Sequence, residues 1–343
     1  MTHEVTLIPG DGIGPAIAEA TLRVLDAAGA PLTWDRQTAG MAAKEEIGDP
    51  LPDATVDSIE RTRVALKGPL TTPVGSGYRS INVALRKEFE TYANVRPARS
   101  ILEGGRYEDI DLVVVRENTE GLYAGIEHFI GMDDDPQAVA ESIMIVTRFG
   151  AERIVRYAFD YAVENDREKV TLVHKANILR ATQGLFLDVG RKVAEEYEGR
   201  VEYDERIIDN TAMQLVLDPH QFDILVMENM FGDIISDEVA GLVGGLGFAP
   251  AANIGQDTAI FEPVHGSAPD IAGEGVANPT AMLLTACLML DHLGEAETAD
   301  RIRSALEATI RSGDRRTPDM GGEAGTDEFV DAVLERLGAS GDG

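Results

Sequence analysis

Several things are scarce in this chain. Among 343 residues there is one cysteine and one tryptophan, and aromatics make up 6%. A lone Cys287 excludes an internal disulfide and a cysteine-based zinc cluster. No apolar run approaches the roughly 20 residues that a membrane helix needs. The first residues, Met1-Thr2-His3-Glu4, lack the basic cluster and long apolar stretch of a secretory leader. A cytoplasmic location is therefore expected. Basic residues number 30, of which 6 are lysine, against 60 acidic ones, for a formal charge of −30. That charge argues against nucleic acid and anionic membranes as partners. Acidity with scarce lysine matches halophilic proteins of high-salt cytoplasm, where screening makes self-repulsion tolerable. A high-GC genome would also favour arginine. The hydrophobic fraction, 44%, is ordinary, so the charge does not signal disorder.

The charge is unevenly spread. Between Arg61 and Ser100 stand Arg61, Arg63, Lys67, Arg79, Arg86, Lys87, Arg96 and Arg99 against Glu88 and Glu90, a local balance of +6. Snorkelling surface arginines would give such a window. So would a pocket for a polyanionic small molecule, because guanidinium forks match carboxylates. Arg79 and Arg86 follow a Gly-rich loop and Arg96 precedes Pro97, positions where function concentrates.

Short β-branched apolar runs at Val5–Ile8, Val64–Leu66, Leu112–Val115, Thr171–Val173 and Ile224–Met227 read as buried strands separated by helical stretches. The pattern is α/β with mostly buried strands. Pro15 suits the first turn of a helix, and further helices are expected over 154–162, 282–293, 299–310 and 327–337. No linker is visible, so a domain boundary falls inside the α/β run, near Tyr92 and within the Gly-rich stretch 241–247.

Gly10-Asp11-Gly12-Ile13-Gly14-Pro15 follows a strand and opens a helix, but Pro15 stands where the dinucleotide fingerprint needs glycine. A strand-to-helix turn near a ligand fits better. Asp233 and Asp237 lie four apart, on one face of a helix if one forms there. They repel each other unless a hard divalent cation joins them; a solvated acidic face is the alternative. Lys175 and Tyr123 each follow a strand and are candidate acid/base groups, or plain surface residues. His265 sits among turn formers and small residues that let a flat ring and phosphates approach the backbone.

Together these segments resemble the decarboxylating β-hydroxyacid dehydrogenases, a family that includes isocitrate, homoisocitrate and 3-isopropylmalate dehydrogenases. The resemblance runs from Ile8–Gly14 to Thr317–Gly322, through Arg116–Tyr123, His174–Leu179, Asn229–Asp237 and His265–Gly273. It implies the isopropylmalate dehydrogenase-like α/β fold, not a Rossmann domain. It implies a large cofactor domain of 1–91 plus 244–343, and a small dimerisation and substrate domain of 92–243. An arm over about 121–147 would be exchanged in a homodimer. Asp233 and Asp237 would bind Mg²⁺ or Mn²⁺ with Asp209 of the partner subunit. Lys175 would also reach across, as base, with Tyr123 as acid. Arg86, Arg96 and Arg116 would clamp substrate carboxylates, and Ser80 and Asn82 would contact the group that differs between substrates. Thr72, Asn177, Glu262, His265, Gly266, Ser267, Ala268, Asp270, Ile271 and Asn278 would bind the cofactor. Asp270-Ile271 replaces the Lys-Tyr of NADP-using relatives and Gly322 replaces their Arg, which points to NAD. Ser80 and Asn82 stand where isopropylmalate enzymes are apolar, which favours a third carboxylate and so isocitrate. Homoisocitrate is the runner-up, and a non-catalytic regulatory subunit is the reading from another class.

Overall fold

A computed structural model describes residues 2–72, 80–102 and 104–339. Residues 73–79, including Arg79 of the basic window, lie outside the described residues. The chain divides into two compact units, one of Met1–Thr91, Pro97–Asp109 and Ala240–Gly343, the other of Tyr92–Arg96 and Ile110–Val239. The bounds implied by the resemblance put 97–109 and 240–243 in the second unit; the compact units group both stretches with the first.

In the first unit, strand order is β2 (Leu32–Arg36), β1 (His3–Ile8), β3 (Val64–Lys67), β12 (Ala259–Pro263), β11 (Pro250–Ile254). Neighbours run parallel except β11 against β12. The helices are α1 (Gly14–Ala27), α2 (Met41–Ile47), α3 (Asp53–Thr62), α4 (Ile81–Glu88), α9 (Thr280–His292), α10 (Ala296–Ser312) and α11 (Thr326–Ala339). Helix α9 is buried on nearly every side, Cys287 included. Helix α4 carries three of the expected site residues: Ser80 at its cap, Asn82 and Arg86. Ser80 caps it, accepting from Val83 N–H at 3.5 Å. Ile81 and Leu85 pack against Ile8, Ile59, Ala65 and Ile260. Each such side chain contributes on the order of 2 kcal/mol, which fixes the rotation of α4 about its axis and so the side from which Asn82 and Arg86 project.

In the second unit the order is β5 (Asp111–Glu117), β10 (Ile224–Met227), β8 (Lys169–His174), β9 (Glu202–Ile207), all parallel. Strand β4 (Ala93–Arg99) contributes residues to both units. Helices α5 (Arg148–Glu164), α6 (Thr182–Glu195), α7 (Ile208–Leu217) and α8 (Asn229–Leu242) complete the fold of this part. A separate antiparallel hairpin, β6 (Glu127–Met132) with β7 (Asp135–Ser142), is exposed along its whole length. It shows Phe129, Ile130 and Met132 to solvent at 58%, 41% and 59% exposure.

Several strands here are absent from the sequence reading. In β9, Glu-Tyr-Asp-Glu-Arg-Ile is mostly charged and half-buried, so it carries no apolar run. The β6–β7 hairpin is exposed on both faces, so no alternation marks it.

Candidate active site

Parallel strands deliver ligand-binding residues at their C-terminal ends. In the second unit Arg116 is next to last in β5, Lys175 follows β8 and Asn229 opens α8 just after β10. The Arg116 guanidinium is buried and donates through Nε and Nη2 to Asn229 Oδ1 at 3.1 and 2.8 Å, and through Nη1 to Asp233. It crosses Gly232 so closely that a Cβ there would lie 2.4 Å from Arg116 Cγ. Glycine at 232 is what lets the arginine lie on α8. The Tyr123 hydroxyl also donates to Asp233, and its ring stacks 5.1 Å from the Arg116 guanidinium.

Arg96 approaches the same helix. Its Nη1 donates to Ser236 Oγ at 2.6 Å and Asp237 Oδ1 at 3.3 Å, and its Nη2 lies 3.6 Å from Asp233 Oδ1. Helix α8 thus presents Asp233 and Asp237 one turn apart, faced by two arginines and a tyrosine. Burial raises the Asp237 carboxyl above its ordinary value, Arg96 opposes this, and the neighbouring Asp233 raises it further. This pair of oxygen-rich, like-charged side chains fits a hard divalent cation. Two carboxylates do not complete a shell, however. Among the described residues no group of three or more His, Cys, Asp or Glu side chains could hold a metal.

Asp209 is elsewhere in the unit. It opens α7 and accepts from Lys175 Nζ at 2.5 Å, a bond that holds its carboxyl below the ordinary value. Asn177, two residues beyond Lys175, is exposed in the turn after β8.

Two buried acids were not singled out from sequence. Glu117 accepts from Thr119 N–H and Glu120 N–H and shapes the turn leading to Tyr123. Glu228 accepts from Met230 N–H and Phe231 N–H at the start of α8. Burial raises both carboxyls.

The first unit holds a cleft of about 550 Å³, within the usual range for a small-molecule site. Five of the expected cofactor residues, His265, Gly266, Ala268, Ile271 and Asn278, line it together with Ile13, Gly247, Val276, Pro318 and Asp319. Asn278 Nδ2 donates to Asp319 Oδ2 at 2.9 Å. His265 Nδ1 lies 3.0 Å from the Gly266 carbonyl oxygen, which can only accept, so Nδ1 carries the hydrogen. Nε2 is then an acceptor, buried and without a partner among the described residues. Burial holds the ring's pKa below its ordinary value, so it is neutral. An apolar cleft with one open buried acceptor fits a dinucleotide's flat rings and N–H groups.

Other expected cofactor residues are placed differently. Ser267 is buried, its hydroxyl 2.7 Å from that of Thr71. Thr72 and Asp270 are exposed. Glu262 is buried and is not among the residues lining the cleft. Its Oε2 meets Lys67 Nζ at 2.6 Å and its Oε1 accepts from Asn253 Nδ2 at 2.9 Å and Arg86 Nη2 at 3.2 Å. Burial alone would raise this carboxyl, but Lys67 and Arg86 overcome it and hold it well below the ordinary range. Lys67, a member of the basic window that closes the apolar run Val64-Ala65-Leu66, is thus a buried cation. On α4, Asn82 Oδ1 and Arg86 Nε are buried and have no hydrogen-bond partner among the described residues.

Known proteins are similar to this chain over nearly its whole length. The family model described as Isocitrate/isopropylmalate dehydrogenase matches residues 4–333. "Isocitrate dehydrogenase [NAD] catalytic subunit 5, mitochondrial" of Arabidopsis thaliana is 50% identical over 97% of this chain and 88% of its own. A mitochondrial regulatory subunit of the NAD isocitrate dehydrogenase of Dictyostelium discoideum is 46% identical over 98% and 92%. The crystal structure of isocitrate dehydrogenase from Methylococcus capsulatus superposes with a TM-score of 0.94 at 56% identity, covering 98% of this chain and 99% of that one. Both curated relatives are named as mitochondrial, which overturns the cytoplasmic location expected from the N-terminal residues. The match over nearly the full length, with the cluster on α8, makes this chain a member of the isocitrate/isopropylmalate dehydrogenase family.

Proposed function

We propose that this chain is a catalytic NAD-dependent isocitrate dehydrogenase, oxidising and decarboxylating isocitrate to 2-oxoglutarate and CO₂, and that it works as a homodimer with shared sites. The observation that carries the reading is the α8 cluster: Asp233 and Asp237 with Arg96, Arg116 and Tyr123 gathered on them. A regulatory subunit has no need of an intact acid, base and carboxylate set.

Asp233 and Asp237, with Asp209 of the partner subunit, would hold Mg²⁺ or Mn²⁺, which when bound acidifies the substrate 2-hydroxyl and polarises the carbonyl formed from it. Within one chain Asp209 is bonded to Lys175 and is not grouped with the other two aspartates, which supports their joint use in the partner's site. The hairpin β6–β7, an exposed two-stranded ribbon with apolar side chains, would be the arm that pairs with its counterpart, since an isolated hairpin is marginal in water.

Arg96 and Arg116 would orient substrate carboxylates, as would Arg86, whose Nε has no partner among the described residues. Ser80 and Asn82 would serve the third carboxylate. Lys175 Nζ, in its neutral form, would accept the proton of the 2-hydroxyl. Tyr123 would return a proton to the carbon from which CO₂ has left. Hydride acceptance is the chemistry NAD supplies when bound in the His265 cleft. Exposed Asp270 would repel a 2′-phosphate. Gly322 leaves no room for a basic side chain, since a Cβ there would lie 2.0 Å from the Arg316 carbonyl oxygen.

The test is NADH formation by the purified chain with D-isocitrate and Mg²⁺. Homoisocitrate, 3-isopropylmalate and NADP are the controls. Absence of turnover would favour a regulatory subunit; faster turnover of a control would move the substrate or cofactor assignment.

A further inference from the structure

The Gly10-Asp11-Gly12 turn has no place in the mechanism above. Asp11 is buried, 7% exposed. Its carboxylate accepts three backbone N–H groups from two separate segments. Oδ2 takes Met41 N–H at 3.1 Å and Thr71 N–H at 2.8 Å, and Oδ1 takes Ala42 N–H at 3.1 Å. Met41 and Ala42 open α2, whereas Thr71 lies in the loop after β3. Asp11 also donates its own N–H to Pro69 O at 2.7 Å, so this turn grips the loop at two points.

The glycines explain how the backbones come so close. A Cβ at Gly10 (φ +83) would lie 2.3 Å from Pro69 O, and one at Gly12 (φ +58) would lie 1.9 Å from Ser267 O. They clear a crossing of this chain over itself rather than a seat for pyrophosphate. The crossing reaches the cleft. Ile13, a lining residue, donates its N–H to Ser267 O at 2.9 Å, and Ser267 stands between the lining residues Gly266 and Ala268. Thr71 Oγ1 meets Ser267 Oγ at 2.7 Å.

We propose that Asp11 is a positioning residue for the dinucleotide, an inference that rests on the NAD-dependent reading above. One carboxylate sets the start of α2, the Thr71 loop and the Ile13 turn, and through Ser267 it sets the turn carrying His265. Charge-assisted acceptance of three buried N–H groups is strong, and losing it leaves donors unsatisfied. Without it the cleft is not preformed, and the cofactor must supply the ordering on binding. Preorganisation lost in this way appears in cofactor affinity rather than in turnover.

The test compares Asp11→Asn and Asp11→Ala with the wild-type enzyme. Asparagine can place its oxygen at the Oδ2 position and keep Met41 and Thr71, giving up Ala42; alanine loses all three. The KM for NAD is expected to rise about threefold in D11N and about tenfold in D11A, with kcat and the isocitrate KM within about twofold. The Kd for NADH, from fluorescence titration, should follow the same order. D11N carries the test if D11A does not fold: it keeps two of the three N–H bonds and should still weaken NADH. Folded variants with unchanged NAD constants overturn the proposal, as does a parallel change in NAD, isocitrate and kcat, which marks a general structural role. Wild-type enzyme that binds no NADH would instead sink the functional reading itself.

Discussion

The Tyr123 hydroxyl donates to the Asp233 carboxylate, which also holds the Arg116 guanidinium. A proposed acid group, a proposed metal ligand and a proposed substrate clamp are therefore in direct contact. Their positions are set from behind. Glu117 shapes the turn before Tyr123, and Glu228 caps the helix that carries Asp233.

Replacing Tyr123 with Phe keeps the ring over Arg116 and removes only the proton donor. Turnover should fall by about 100-fold or more, the usual size of an acid–base contribution. The isocitrate KM should move little. Steady-state kinetics decide, and unchanged turnover would remove Tyr123 from the chemistry.

Lys175 and Asp209 are bonded to each other and would act in the partner's site. Tyr123→Phe and Lys175→Met, each inactive alone, should therefore complement when co-expressed. A mixed dimer would have one site with both lesions and one with neither. Random pairing predicts about a quarter of wild-type activity. Activity no higher than that of either parent would place both residues in one chain's own site.

The buried Glu262 sits between Lys67, Arg86 and Asn253. Its carboxyl is held below the ordinary range, so its contribution to stability is complete above the unfolded-state carboxylate value of about 4.3 and drains away as pH falls below it. Glu262→Gln should flatten this part of the acid-unfolding curve. Lys67→Met, which leaves the carboxylate short of one cation, should cost about 3–5 kcal/mol at neutral pH. Chemical denaturation across pH measures both. An unaltered acid limb in E262Q would show that the triad is not what titrates.

A charge of −30 on 343 residues repels itself. Raising KCl shortens the screening length from about 10 Å at 0.1 M to about 3 Å at 1 M. The thermal midpoint should therefore rise over that range. A falling or flat midpoint would separate this acidity from salt adaptation.

Much of the site was legible in the chain itself. Arg116–Tyr123, Asn229–Asp237 and His265–Gly273 are contiguous stretches whose residue types carry their chemistry wherever they fold. Asp233 and Asp237 needed only helical periodicity to share a face. Strands β1, β3, β5, β8 and β10 declared themselves because both faces are buried, which leaves an unbroken apolar run. Elements without that signature stayed hidden, such as charged β9 and the solvent-facing hairpin.

What the sequence by itself determined was family-specific chemistry and an α/β chain with strand ends loaded with charged groups. What only the tertiary structure decided was which of those groups meet. No spacing rule joins Lys67 to Glu262, 195 positions apart, or Asp11 to Thr71, 60 apart. Buried charges and backbone donors must find partners wherever the chain crosses itself, because leaving them unpaired away from water costs several kcal/mol. Local periodicity cannot name that partner; the packing of the sheet does.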